Sequence, residues 1–289
     1  MDPQTAVVAF GLASAAAWGS ADFGGGLAGR RAPLLGVLLF SQLAGSALAL
    51  LPAVLRGEPV PGVDDLLVAV LAGAIGAIGI GALYRGLQVG RMGVVAPISG
   101  ALAAVVPVSA GILLQGLPGP AVLVGIGLAI VAVVLVSVAP HDAATAAGPR
   151  IAGIPADVAI ALVAGSALGA LNLVISRFSP GAVYGPLIAV RACEAILIAS
   201  VILLTRRAWR VARPVWPLVL VVGGLDMAGN GFFILASQAG RLDVAAVLSS
   251  LYPVSTLILA ALVLKERIVG VQALGVAAAI GAIILVRIG

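Results

Sequence analysis

Polar chemistry is scarce in this chain. It has one cysteine, Cys193, one histidine, His141, and only 9% charged residues. A single cysteine excludes an intrachain disulfide. One cysteine in an apolar run and one histidine in a loop leave too few ligands for a Cys/His metal site and no nucleophile–base constellation for an embedded enzyme. No G-x-x-x-x-G-K-[ST] loop occurs, which disfavours an ATP-driven pump. No cofactor, metal or catalytic residue is expected. Soluble domains carry about 25% charged residues, so the shortage of charge also excludes a water-soluble fold. The net charge of +5 comes from arginines spread through short connections; it follows membrane topology and is not a nucleic-acid signature. The start, MDPQTAVVAF, lacks a positive stretch before its apolar run and does not read as a cleaved leader.

What the chain does have is apolar length. It is 62% hydrophobic, with a mean hydropathy of +1.23. A crossing needs about 20 apolar residues, and the pattern places ten. The first five fall at about 5–27, with a break near Gly24, Gly25 and Gly26, then 34–55, 66–87, 93–114 and 121–138. The second five fall at about 156–176, 182–204, 215–238, 244–264 and 269–286. The longest polar, small-residue segment, Ala139 to Pro155, separates the halves. The organisation expected is a first repeat at 1–139, a linker at 140–155 and a second repeat at 156–289.

The halves share fixed offsets. Gly19 and Gly169, Asp22 and Asn172, Gln88 and Gln238, Gly90 and Gly240, Arg91 and Arg241, and Gly125 and Gly275 each lie 150 residues apart. Five crossings is an odd number, so two such repeats sit in the membrane with opposite orientation. Inverted repeats are a common transporter plan, with the substrate site near mid-membrane where they meet. The fold class expected is therefore an all-α polytopic membrane protein of ten transmembrane helices in two inverted five-helix repeats.

Intramembrane polar residues are costly and tend to face an interior. Trp18 and Asp22 lie one turn apart in span one, pairing an aromatic wall with an acid; the alternative is an interfacial anchor beside a surface acid. Asn172, the repeat mate of Asp22, is a candidate contact or helix glue. Arg191 and Glu194, three apart in span seven, can pair on one face and meet the two ends of a zwitterion, or simply fix packing. Tyr184 lies two turns before Arg191. Asp226 and Asn230 form a stripe with Phe233 and Ser237 in span eight, and Arg191 is one candidate partner of Asp226 across the bundle, which the sequence does not test. Gln42, Ser249 and Tyr252 complete the candidate substrate contacts. Asp22, Glu194 and Asp226 are the possible proton sites. Pro97, Pro107 and Pro253 are candidate hinges, Pro253 as a mid-span kink. The cavity is expected to draw on spans one, two, six, seven, eight and nine. Glycines such as Gly165 with Gly169, and Gly73, Gly76 and Gly79, signal close helix approach.

The segments WGSADFGGGLAGRR, LYRGLQVGRMGVVAPIS and LSSLYPVSTLILAALVLKER resemble EamA repeats of the drug/metabolite transporter superfamily. The last of these joins a serine- and proline-bearing helix to a short L-x-E-R turn. The resemblance covers nearly the whole chain. It implies a secondary transporter of small metabolites, amino acids or drugs, often moved outward, that works by alternating access. A small polar or amphipathic metabolite such as an amino acid is the expected cargo. Uptake of a sugar or quaternary amine is the alternative within transporters, and a receptor or structural protein is the alternative outside them. The expected setting is a bacterial inner membrane, with the lipid bilayer and a small solute as partners and a monomer or weak homodimer as the assembly. Ten lysines and arginines fall on the loops opposite the termini and four on the terminal side. That count alone favours termini outside, whereas the family's usual arrangement implies termini inside.

Overall fold

The computed structural model describes residues 1–89, 92–137, 150–151 and 154–289. His141, most of the linker and the Gly90 and Arg91 repeat matches lie outside the described residues. Among those described, ten spans are long and apolar enough to cross a bilayer. They are α1 (Pro3–Gly29), α2 (Leu34–Leu55), α3 (Val63–Val89), α4 (Met92–Gln115), α5 (Pro120–Ser137), α6 (Ala156–Ile175), α7 (Tyr184–Thr205), α8 (Trp216–Ala239), the pair α9 (Leu242–Ser249) and α10 (Tyr252–Val263), and α11 (Gly270–Ile288). Two short strands, β1 (Arg150–Ile151) and β2 (Ile154–Pro155), pair antiparallel before α6.

Local signals explain the helix ends. Asp2 caps α1, its carboxylate accepting from the Thr5 amide at 2.9 Å, and proline follows at the first turn. That bond holds the Asp2 carboxyl below the usual carboxylate range. Asp64 and Asp65 occupy the first turn of α3, where acids suit the helix dipole. Two expectations need correction. α1 runs unbroken through Gly24, Gly25 and Gly26 to Gly29; packing against α8 keeps them helical, and Gly24 sits against Val222. Span nine is not one kinked helix. It stops at Ser249 and restarts at Tyr252, so Pro253 lies in the first turn of α10, where its missing N–H has no helical partner to lose.

The packing is inside-out relative to a soluble protein. The interior is built largely of Ala, Val, Gly and Ser, while Leu50, Leu67, Leu203 and Ile280 stand exposed on outer faces. Lipid is as apolar as leucine, so helices associate through close backbone approach at small residues. A Cβ on Gly169 would meet Val106 and the Leu102 carbonyl, and one on Gly73 would meet Cys193 and the Val190 carbonyl. The pairings are symmetric. α1 lies along α8 as α6 lies along α3; α4 packs on α6 as α9 and α10 pack on α1; α2 meets α7 and α5 meets α11. Exchanging the repeats maps each pairing onto another or onto itself, as inverted repeats require.

Candidate functional site

Eight of the candidate residues converge on one cavity of about 130 Å³. α1 contributes Trp18 and Asp22, α6 Asn172, α7 Arg191 and Glu194, α8 Asp226 and Asn230, and the start of α10 Tyr252. These eight come from both repeats and from five separate spans, so only the assembled bundle brings them together.

Arg191 is the hub. It is 4% exposed, and Glu194, one turn on, is 2% exposed. Its Nη1 donates to Glu194 Oε2 at 2.8 Å, and its Nη2 lies 2.6 Å from Asp226 Oδ2 across the helix interface. The Asp226 contact has ion-pair distance without hydrogen-bond alignment, and the buried Nε meets no acceptor among the described residues. A guanidinium presents five donors in a fixed fork, so this one retains donor capacity toward the cavity. Asp226 keeps a side-chain exposure of 30%, while Asn230 turns its amide back to the Asp226 carbonyl at 2.8 Å. Asp22 is exposed to the cavity without an ion-pair partner among the described residues. Three carboxyl groups and one guanidinium therefore line the same cavity.

The aromatic wall is equally specific. The Trp18 ring stacks on Phe233 with centroids 5.8 Å apart and meets Tyr252 edge-on at 6.4 Å. Gly229 leaves room for the indole, and Gly19 lets α1 touch the Tyr252 carbonyl. Tyr252 opens α10 just after the break from α9 and lines the cavity. Thr256 donates to both the Gly19 and Tyr252 carbonyls, at 3.0 and 3.2 Å, and ties the restart of the span to α1.

Three candidates lie elsewhere. Gln42 is buried within α2, which contributes nothing to the cavity; α3 and α4 line it instead, through Gly76, Ile80, Leu83 and Ala103. Ser249 is packed, with its hydroxyl 3.5 Å from the Gly11 carbonyl. Tyr184 begins α7, with its ring against Gly231 and its amide bonded to Glu58. Of the candidate hinges, Pro253 alone coincides with a helix break; α4 is continuous through Pro97 and Pro107.

The loops on the terminal side are sealed by bonds between repeats. Glu58 Oε2 accepts from the Val183, Tyr184 and Gly185 amides at 3.2, 2.7 and 3.1 Å, satisfying the open N–H groups at the start of α7. Asp65 accepts from the Ser179 amide, Gln115 accepts from the Leu242 amide, and Arg241 reaches the Gly116 carbonyl at 2.6 Å. The ion pair with Asp243 holds the Arg241 guanidinium above its usual range. No sequence signal marks Glu58 or Asp65 for this role, because their partners are backbone amides.

A membrane-embedded cavity at the meeting of two inverted five-helix repeats defines the class of carrier-type transport proteins. The EamA-like transporter family model matches residues 5–138 and 157–288, and the chain belongs to that family, within the drug/metabolite transporter superfamily. It is an integral multi-pass membrane protein. Eighteen chains of known structure match. One, described only as "Crystal structure of protein", superposes with a TM-score of 0.78 at 16% identity, covering 96% of this chain and 97% of its own. That likeness concerns the fold. No curated protein matches the chain.

Proposed function

We propose that the protein is a non-enzymatic secondary transporter that exports a small zwitterionic metabolite, an amino acid or a close relative, by alternating access. The observation that carries this reading is Arg191, held between Glu194 and Asp226 in a cavity that Asp22 also lines. The spare donors of Arg191 suit a carboxylate. Asp22 and the rings of Trp18 and Tyr252 suit an ammonium group, which is drawn both to an acid and to aromatic faces. Asn172 and Asn230 add neutral hydrogen bonds. The cavity's modest volume favours a small solute.

Asp22, Glu194 and Asp226 are the proposed proton-coupling groups, since Glu194 and Asp226 can trade Arg191 for a proton as substrate enters and Asp22 lines the same cavity with no ion pair to break among the described residues. The moving units are residues 1–139 and 156–289, joined by 140–155, with Pro253 at the hinge. The proposed setting is a bacterial inner membrane, with a monomer or weak homodimer as the working assembly. The excess of carboxyl groups over the one guanidinium supports a second reading, uptake of a cationic or quaternary amine.

The test is a flux screen in proteoliposomes against pooled amino acids, amines, sugars and dyes, with and without a pH gradient, using wild type and Asp226→Asn. Saturable amino-acid flux lost in the variant supports the first reading. Saturable amine flux without amino-acid flux selects the second. No flux of any class from folded protein overturns both.

A further inference from the structure

A second cavity, of about 590 Å³, lies apart from the central one. Its walls are apolar, with Leu34, Leu35 and Leu38 on α2 and Val201 on α7, and its rim carries Arg85 at the end of α3 and Arg207 just beyond α7. Val201 and both arginines are exposed, so the groove opens sideways, toward lipid. Among the described residues no acidic one lines it.

Two observations fix its depth and its charge. The neighbouring connection between α7 and α8 carries Trp209, and Trp216 opens α8; their rings close around Phe40 at 6.1 and 4.5 Å. Tryptophans of this kind mark the headgroup level of a bilayer. The same connection holds Arg206, Arg207, Arg210 and Arg213. Arg206 adopts a left-handed conformation, with φ of 50°, and ends α7 by turning the chain so that Arg207 comes to the cavity rim. Among the described residues neither Arg85 nor Arg207 makes an ion pair or a side-chain hydrogen bond.

We propose that this groove holds one anionic phospholipid, its phosphate between Arg85 and Arg207 and one acyl chain along the Leu34, Leu35, Leu38 and Val201 wall. Basic pockets between transmembrane helices at headgroup level select anionic lipids. A zwitterionic headgroup fits poorly, because it brings an ammonium into a site with two guanidinium groups and, among the described residues, no carboxylate. A free phosphate leaves the apolar wall unused.

Native mass spectrometry of the purified full chain tests this with phosphatidylglycerol and phosphatidylcholine of identical acyl chains, and with glycerol phosphate as the soluble headgroup. Wild type is expected to retain phosphatidylglycerol about ten-fold over phosphatidylcholine and to ignore glycerol phosphate. The preference falls to near unity in Arg85→Gln/Arg207→Gln. It persists in Arg30→Gln/Arg31→Gln, which removes the same charge from the same membrane face at residues that do not line the groove. Equal retention of both lipids by wild type, an unchanged preference in the groove variant, or an equal loss in the control overturns the proposal, as does displacement of lipid by glycerol phosphate. Should the groove variant fail to run as a single folded species, quenching of Trp209 and Trp216 in wild type decides. Brominated phosphatidylglycerol should quench them at a several-fold lower mole fraction than brominated phosphatidylcholine, and equal quenching overturns the assignment.

Discussion

Arg191 Nη2 lies 2.6 Å from Asp226 Oδ2, joining α7 to α8 through a charge that also binds its own helix neighbour Glu194. Breaking a buried pair by removing one partner costs about 3–5 kcal/mol, because it strands the other charge. Arg191→Met strands Glu194, which is fully enclosed. Asp226→Asn leaves Arg191 with Glu194, and Asp226 is itself partly exposed, so its loss costs about 1 kcal/mol. Thermal unfolding in detergent should therefore rank Arg191→Met well below Asp226→Asn, with Arg191→Met/Glu194→Gln recovering part of the loss. Equal melting points for the two single variants would contradict the hub.

Gly76 faces that hub. A methyl group there would meet Glu194 Oε1 and Leu171, whereas one on Gly81 meets nothing within 4 Å. Overpacking costs about 1–3 kcal/mol, while Gly→Ala in an open helix position gains up to about 1 kcal/mol. Gly76→Ala is expected to lower both stability and flux, and Gly81→Ala to leave flux intact. A flux-competent Gly76→Ala would show that Glu194 need not hold its position.

Much of this was legible in the sequence, for reasons that differ by residue. Hydropathy runs of bilayer length gave ten spans, and the 150-residue offsets gave the repeats. Trp18, Asp22, Asn172, Arg191, Glu194, Asp226, Asn230 and Tyr252 stood out because polar groups in spans are expensive, and the structure places them in one cavity. Gln42, Ser249 and Tyr184 carried the same signal but are spent on packing and on the loop seal. Gly76, Ile80, Leu83 and Ala103 were invisible because an apolar or missing side chain gives no polar signal. The span-nine break was read as a kink because a proline in the first turn of a new helix and a proline inside an old one look alike in sequence.

The backbone shows a second register of the repeat. Gly57 and Gly116 end α2 and α4 with φ of 62° and 80°, and Arg206 and Lys265 end α7 and α10 with φ of 50° and 57°. Left-handed geometry costs a non-glycine residue about 1–2 kcal/mol. Arg206→Gly and Lys265→Gly are expected to be neutral or stabilising by about 1 kcal/mol, and Gly57→Ala and Gly116→Ala destabilising by a similar amount. Melting points in one detergent check all four. A loss of stability in Arg206→Gly would show that the arginine side chain matters more to the fold than its backbone strain.

The terminal-side seal depends on Glu58. Glu58→Ala removes the acceptor for three amides at the start of α7, which should favour the arrangement in which these loops part. Cys193 is the sole cysteine, so Cys193→Ser gives a clean background for Ala182→Cys at a position 7% exposed. Maleimide labelling is expected to be slow in that background and several-fold faster once Glu58→Ala is added. Unchanged labelling would mean that the seal holds without this carboxylate.

Counterflow most directly tests the central claim, that the cavity is the substrate site of an alternating-access carrier. Proteoliposomes loaded with an unlabelled amino acid would be diluted into a trace of the labelled form, with no ion gradient. The account predicts a transient, saturable overshoot of label in wild type that is absent in Arg191→Met protein shown to be folded. Label that only equilibrates, without overshoot or saturation for any amino acid or amine, would contradict it.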